Sequence, residues 1–173
     1  VHDDYRVGEL GKGFQYIAEA LDIERFTMFT FSPIRGRTEL LCDYVRDTVR
    51  DGKPLKGDPV IRQKVAQLVT ECEVARLLGV RFVDAALTAG KTPTIEASEY
   101  KLYATELSRR LADATMDIAG PGTQLALGTE DAPLKGRAES CYTYTVIDTI
   151  GGGSSEVQKN IIAKRKLDLP KNF

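Results

Sequence analysis

Residues 58–82, DPVIRQKVAQLVTECEVARLLGVRF, decide the fold of this 173-residue chain. Small and apolar residues recur here at alternating four- and three-residue steps, at Ile61, Val65, Leu68, Cys72, Ala75, Gly79 and Phe82. That spacing places one apolar stripe along a helix, and Asp58 followed by Pro59 is typical of a helix start. We therefore predict a long bundle helix, on the order of 40 Å.

The same helical period recurs on both sides of this stretch. A first helix is predicted from Phe14, with its apolar stripe at Phe14, Ile17, Ala18 and Leu21. A second is predicted from an N-cap at Ser32 and a first-turn Pro33, with its stripe at Leu41, Val45 and Val49. A fourth is predicted from about Ile95 to a glycine turn at 120–122, with its stripe at Ala104, Leu107, Leu111, Ala114 and Ile118.

The last third of the chain is less regular. Residues 138–150, AESCYTYTVIDTI, are rich in the β-branched and aromatic residues that suit a strand. Because a single strand without a partner is unstable, we predict a helix there instead. A final short helix is predicted from Ser155 to Arg165. The fold class is therefore all-α, an up-down four-helix bundle with a short C-terminal helix, in a single domain over residues 1–173.

The composition excludes several classes of function. A formal net charge of −1 gives no broad positive field for nucleic acid. Three cysteines, Cys42, Cys72 and Cys141, are too few and too widely spaced for a disulfide framework, which favours a reducing compartment. With one histidine, His2, the chain offers little for a zinc site or a Ser-His-Asp arrangement. No apolar run approaches the roughly 18 residues of a membrane span.

A glycine-rich loop before the last helix is the first candidate site. Three glycines at 151–153 precede Ser155 and Gln158, which have the spacing of a capping box. Backbone N–H groups at such a helix start can bind a phosphate or pyrophosphate. The alternative is a loop that caps its helix and binds nothing, since the stretch has neither a Walker nor a dinucleotide fingerprint.

Glu24 and Arg25, in the stretch LDIERF, are the second candidate site. Adjacent opposite charges at the end of an apolar helix are usually solvated or paired with each other. A carboxylate in an apolar pocket can instead have a raised pKa and act as a base toward a weakly acidic C–H. Phe26, Met28, Phe29 and Phe31 follow closely, and they suit such a pocket and a protein core equally well.

Taken in order, these stretches resemble the C-terminal helical domain of the acyl-CoA dehydrogenases. The resemblance lies in three segments: VGELGKGFQYIAEALDIERF at 7–26, DPVIRQKVAQLVTECEVARLL at 58–78 and TIGGGSSEVQKNIIAKRKLDLP at 149–170. The last is similar to the family's closing motif, I-x-G-G-T-S-E-I-Q-x-N-I-I-A-x-R-x-L-x-L-P. The match covers essentially the whole chain, in order and at the expected spacing.

The resemblance implies an FAD-dependent enzyme that oxidises an acyl-CoA to its 2,3-enoyl thioester and passes electrons to an electron-transfer flavoprotein. It also implies homo-oligomerisation through the helical bundle, as a dimer or tetramer. The chain is then expected to be a C-terminal fragment of a longer flavoenzyme, inactive alone, with residues 1–12 as the tail of a preceding domain or a linker. The expected location is the cytoplasm, or the mitochondrial matrix in a eukaryote.

The family's site residues carry over unevenly. The catalytic base stands in one of two places among relatives, and one of these is Gly152 here, which cannot be a base. The other is Glu24, and Arg25 beside it is expected at the substrate, where it supports the position or charge of that carboxylate. Four positions match the family's FAD-binding segment: Gly152, Gly153, Ser154 and Glu156.

Two departures keep alternatives open. The family's R-x-x-F-G stretch, which reaches a neighbouring subunit's FAD, appears here only as RDTVRDGKP at 46–54, with Thr48 aligned and Arg46 and Arg50 nearby. The turn AGPG at 119–122 replaces a glycine-rich turn that touches FAD in relatives. A non-catalytic assembly subunit of a heteromeric dehydrogenase is therefore one alternative, and a flavin oxidase on the same scaffold is another.

Overall fold

The computed structural model describes residues 2–27, 31–90 and 92–170, and these are mostly helical. Met28 and Phe29 of the predicted apolar pocket lie outside the described residues. The α-helices are α1 (Gly13–Thr27), α2 (Phe31–Asp47), α3 (Pro59–Ala89), α4 (Thr94–Ala119), α5 (Arg137–Asp148) and α6 (Ser155–Arg165). Two-residue strands β1 (Val49–Arg50) and β2 (Lys53–Pro54) form a small antiparallel hairpin. Short 3₁₀ turns lie at Asp3–Tyr5, Leu55–Gly57, Pro121–Gln124 and Pro133–Gly136. The predicted all-α bundle is confirmed.

The stripe on α3 is the side of that helix that faces the core. Leu68, Cys72, Ala75 and Phe82 are buried there. The start is as predicted, because the Asp58 carboxylate accepts hydrogen bonds from the N–H groups of Val60 and Ile61. Gly90, in the left-handed conformation, ends the helix.

Helix α4 is the centre of the bundle, in contact with α1, α2, α3, α5 and α6. Its predicted stripe is buried at Ala104, Leu107, Leu111 and Ile118. Because α4 is surrounded on nearly all sides, several of its polar residues are buried as well: Ser98, Lys101, Thr105 and Ser108. Because α4 contacts both α1 and α6, it sets the relative position of the two candidate sites, which lie on α1 and before α6.

Three local predictions were wrong. Phe14 and Ile17 are 88% and 60% exposed, because no described element covers the first half of α1. Val49 lies in β1 and is exposed, because α2 ends at Asp47. Ser32 lies inside α2, which begins at Phe31.

The end of α1 is fixed by aromatic packing. The ring of Phe26 stacks on Phe82 of α3 with centroids 4.2 Å apart, and it lies 5.2 Å from the ring of Tyr100 of α4. Gly79 allows this approach, since a Cβ there would lie 3.2 Å from Tyr100 Cε2. Contacts of this kind hold Glu24 and Arg25 in a defined place against the bundle.

Candidate functional site

The turn before α6 is built by Gly152, Gly153 and Ser154. Both glycines have positive φ, at 64° and 98°, which favours glycine over every other residue. A Cβ at Gly153 would also lie only 2.8 Å from Gln158 Nε2. The predicted glycine requirement therefore has two local causes, backbone conformation and lack of space.

The N-cap of α6 is Ser154, so the prediction that Ser155 begins the capping box was wrong by one residue. Ser154 Oγ accepts a hydrogen bond from the Val157 N–H at 3.4 Å. The Ser155 hydroxyl points elsewhere and donates to Glu106 Oε1 of α4 at 2.7 Å. The two serines thus have different tasks, one closing the helix end and one attaching it to α4.

Three buried side chains from three helices donate to the carbonyls of the glycine loop, residues 151–153. Arg25 Nε of α1 lies 2.8 Å from the Gly152 oxygen, and Lys101 Nζ of α4 lies 2.9 Å from the Gly153 oxygen. Gln158 Nε2 of α6 reaches both oxygens, at 3.0 and 3.1 Å. We refer to Arg25, Lys101 and Gln158 as the loop donors.

The loop donors set the direction of the loop's own N–H groups. In a planar trans peptide the N–H points opposite to the carbonyl. With the Gly152 and Gly153 carbonyls directed at the loop donors, the N–H groups of Gly153 and Ser154 point away from them. Within the described residues neither N–H has a hydrogen-bond acceptor. The loop therefore presents two donors to an external oxygen.

Arg25 connects the two sites that the sequence singled out separately. Besides its bond to Gly152, its guanidinium forms a buried ion pair with Asp22, whose other oxygen accepts from Thr94 Oγ1 at 2.6 Å. Glu24 is the next residue on α1, half-buried, and its carboxylate has no hydrogen-bond or ion-pair partner among the described residues. The base candidate is thus adjacent to a residue that is bonded to the glycine loop.

Sequence reasoning missed Lys101 and assigned Gln158 only to the capping box, not to the loop carbonyls that it contacts. Lys101 nevertheless left a signal. It falls in the apolar rhythm of α4, three residues before Ala104, where a bundle helix normally carries a core residue. Burial lowers the pKa of the Lys101 ammonium, while the nearby Asp148 carboxylate opposes that shift. A fully buried lysine is a candidate for a specific polar role.

Glu156 is exposed in the first turn of α6. Its pKa is lowered by hydrogen bonds from its own backbone N–H and then from the Ser154 hydroxyl. An ionised carboxylate already stands at the helix N-terminus, where it stabilises the dipole. A hydroxyl donor suits this position better than a second anion such as a phosphate.

The aligned R-x-x-F-G region is engaged within the chain. Arg46 pairs with Asp43, and Arg50 Nη2 donates to the Ile118 carbonyl at 2.6 Å, beside the turn at 119–122. Neither guanidinium is directed at the glycine loop. Over residues 2–27, 31–90 and 92–170 no group of acidic, histidine and cysteine side chains suits a metal ion, and no helix is long and apolar enough to cross a membrane.

The sequence matches the family profile described as acyl-CoA dehydrogenase, C-terminal domain, over residues 11–167. It is 28% identical over 170 residues to acyl-CoA dehydrogenase FadE26 of Mycobacterium tuberculosis, covering 96% of this chain and 42% of that protein. It is 32% identical over 164 residues to the human mitochondrial short-chain specific acyl-CoA dehydrogenase, covering 92% of this chain and 37% of that one.

A solved structure gives the same result for the fold. The crystal structure of the ChsE4-ChsE5 complex from Mycobacterium tuberculosis superposes with a TM-score of 0.85 at 28% identity, over 100% of this chain and 44% of that chain. The chain therefore spans about two fifths of the length of the curated relatives it matches. The matched part is the one that contains both candidate sites.

Proposed function

Because the chain belongs to the acyl-CoA dehydrogenase family through its C-terminal domain, we propose that it is the C-terminal helical domain of a longer FAD-dependent acyl-CoA dehydrogenase. The proposed reaction is α,β-dehydrogenation of an acyl-CoA thioester, with Glu24 as the base. One observation carries the proposal: Arg25, adjacent to Glu24, is hydrogen-bonded to the carbonyl of Gly152. This contact supports the proposal that the base candidate and the cofactor-binding candidates belong to one site.

Glu24 has the properties that the proposed proton transfer requires. The carboxylate is half-buried and has no hydrogen-bond or ion-pair partner within the described residues that would compete with a substrate. It would take the proton from Cα of the acyl group. When bound, FAD supplies the acceptor for the hydride that leaves Cβ. Arg25 already forms an ion pair with Asp22 and a hydrogen bond to the Gly152 carbonyl, which supports a role in fixing α1 against the glycine loop. Its contact with substrate stays a prediction.

The cofactor-binding role is proposed for Gly152, Gly153, Ser154 and Glu156. The oxygen of a ribose hydroxyl would accept hydrogen bonds from the N–H groups of Gly153 and Ser154. The same hydroxyl would donate a hydrogen bond to the Glu156 carboxylate. The ionised state of Glu156 supports this choice of a ribose over the diphosphate of FAD. The positive φ angles of the glycines let the backbone approach closely.

The partners proposed for the complete protein are an acyl-CoA, an electron-transfer flavoprotein and further copies of the same chain. An exposed apolar face on α3, formed by Val80, Val83 and Leu87, supports the homo-oligomer. The cytoplasm, or the mitochondrial matrix in a eukaryote, is the proposed location, consistent with three cysteines that are free thiols in the structure.

The role of Glu24 is tested in the complete flavoprotein with the Glu24→Gln variant. We expect bound FAD to be retained and its bleaching by an acyl-CoA panel to fall by at least about 100-fold, since a general base contributes that much or more. Glu19→Gln, an exposed change of the same kind on α1, is the control and should bleach normally. Unchanged bleaching in Glu24→Gln would remove this residue from catalysis. Rapid oxygen consumption without dye reduction would instead identify an oxidase.

One observation favours a second candidate, a non-catalytic assembly subunit. Arg46 pairs with Asp43 and Arg50 donates to the Ile118 carbonyl, so each would have to exchange these contacts to reach a neighbouring subunit's cofactor. A complex of this kind would need another chain to complete its flavin sites. Purified complete protein that lacks FAD, and gains it only when a partner chain is co-expressed, would support this candidate over the first.

A further inference from the structure

We propose that Lys101 is a positioning residue for the cofactor-binding loop: its buried ammonium group holds the Gly153 carbonyl so that the Ser154 N–H is directed toward the flavin cofactor. This inference rests on the proposed function, because it assumes that the loop binds FAD. It adds a residue on α4, outside both of the motifs that pointed to the site.

The burial of Lys101 is the first argument. Its side chain is fully buried within α4, where Ala97 and Ala104 occupy the neighbouring turns. Burying an ammonium group is costly unless it is hydrogen-bonded or paired. An apolar residue would fill the same place at lower cost. The bond of 2.9 Å to the Gly153 oxygen is the specific interaction that a lysine makes possible here.

The second argument is that the loop has other support. Gln158 Nε2 already donates to the Gly153 oxygen, and Arg25 holds the preceding carbonyl. Closure of the loop therefore does not depend on Lys101 alone. What this residue adds is a positive charge on the carbonyl side of the Gly153–Ser154 peptide. Hydrogen bonds in series polarise one another, so this charge strengthens the Ser154 N–H as a donor.

The charges around Lys101 make the effect dependent on pH. Burial lowers its pKa below the ordinary lysine value, and Arg25 on α1 lowers the pKa further. Asp148 on α5, Glu106 on α4 and Glu156 on α6 act in the opposite direction. As pH rises through the lowered pKa, the charge behind the loop is lost and the affinity for FAD should fall.

The test measures FAD affinity of the complete protein by quenching of flavin fluorescence, from about pH 7 to about pH 10, which approaches the ordinary lysine pKa. In the Lys101→Met variant we expect binding to weaken about tenfold at pH 7, in line with loss of one charge-assisted hydrogen bond. We also expect that the FAD affinity of this variant no longer falls as pH rises toward about 10. Lys64→Met, which removes an exposed lysine of α3, should keep both the affinity and the decline.

Lys101→Gln is a second variant, which keeps an amide donor without the charge, and it should also bind FAD more weakly and without the pH-dependent decline. Either variant, if it binds FAD as tightly as the original protein, overturns the proposal. If neither variant folds, the pH dependence of FAD affinity decides. An affinity of the unsubstituted protein that does not change with pH overturns the proposal. A fall in affinity at high pH that Lys64→Met retains supports it. Unsubstituted protein that binds no FAD at all contradicts the proposed function itself, which is a separate result.

Discussion

At the scale of single residues, the buried carboxylate of Asp148 has the clearest energetic consequence. It lies at the end of α5, just before the glycine loop, and its Oδ2 accepts from the Ser108 hydroxyl at 3.1 Å. Ser108 Oγ in turn accepts from Arg37 Nη2 at 2.9 Å. Burial raises the pKa of Asp148 despite these contacts. The ionised form is therefore less favourable in the folded chain than in the unfolded chain.

The raised pKa predicts how the stability of an Asp148→Asn variant depends on pH. Because the folded pKa lies above the unfolded value of 3.8, the penalty is absent well below pH 3.8, grows between pH 3.8 and the folded pKa, and is constant above the folded pKa. Relative to the original chain, the variant should gain free energy of unfolding between acid and neutral pH, by about 1.4 kcal/mol for every pH unit that separates the folded pKa from the unfolded one. Urea unfolding at a series of pH values measures this. A difference between the two proteins that stays constant with pH would contradict it, and the exposed Asp113→Asn provides the control.

The residue scale also shows what the sequence could reveal of the site. Glu24, Arg25 and the glycines stood out because their motifs are local. The bond from Arg25 to Gly152 joins residues 127 positions apart, and no local pattern predicts such a contact. The N-cap was misassigned to Ser155 because Ser155 and Gln158 have the capping-box spacing, which Ser154 and Val157 lack, whereas in the structure the Ser155 hydroxyl donates to Glu106 on α4. Catalytic and cofactor roles for these residues stay predictions.

At the scale of helices, two glycines that both lie inside a helix differ in how closely other residues pack against them. Gly36 lies inside α2 with nothing within 4 Å of the position of its absent Cβ. Gly79 lies inside α3 against Tyr100, with Phe26 also close. Glycine is unfavourable inside a helix unless packing requires it. Packing against Tyr100 gives such a reason at Gly79, and no neighbouring atom gives one at Gly36.

Substitution of these glycines should therefore give effects of opposite sign. Gly36→Ala is expected to raise the free energy of unfolding by about 0.5–1 kcal/mol through helix propensity. Gly79→Leu is expected to lower it by about 1–3 kcal/mol, because the new side chain must displace the rings of Tyr100 and Phe26. Thermal or urea unfolding of both variants measures the pair. Gly79→Leu with unchanged stability would show that the α1–α3–α4 contact is looser than the structure indicates.

Helix boundaries and periods were predictable to within a few residues because they depend on local sequence. The stripes of α3 and α4 met the core as predicted, and α6 runs from Ser155 to Arg165 as predicted. The stripe of α1 was wrong for a different reason. Periodicity identifies an apolar face, but whether anything covers Phe14 and Ile17 depends on what lies opposite, and no described element does.

At the scale of the whole molecule, the bundle leaves one long apolar face uncovered. Val80, Val83 and Leu87 follow one another on α3 at helical spacing and are 55%, 43% and 80% exposed. At about 100° per residue, these side chains lie about 40–100° around the helix from the buried stripe, so the apolar side of α3 continues beyond the part that the bundle covers. This exposed margin supports the proposal that copies of the complete protein associate through the bundle.

Val80→Lys tests that association. A charge in the middle of an apolar interface is costly to bury without a partner, so the variant should shift the complete protein from an oligomer toward its monomer in sedimentation velocity at micromolar concentration. Since Val80 is exposed in the isolated chain, the variant's free energy of unfolding should change by no more than about 0.5 kcal/mol. Gln63→Lys adds the same charge to an exposed polar position on α3 and should leave the oligomer intact. An oligomer that survives Val80→Lys would mean that the copies meet through another surface, and the apolar face of α3 would then be available to a different partner.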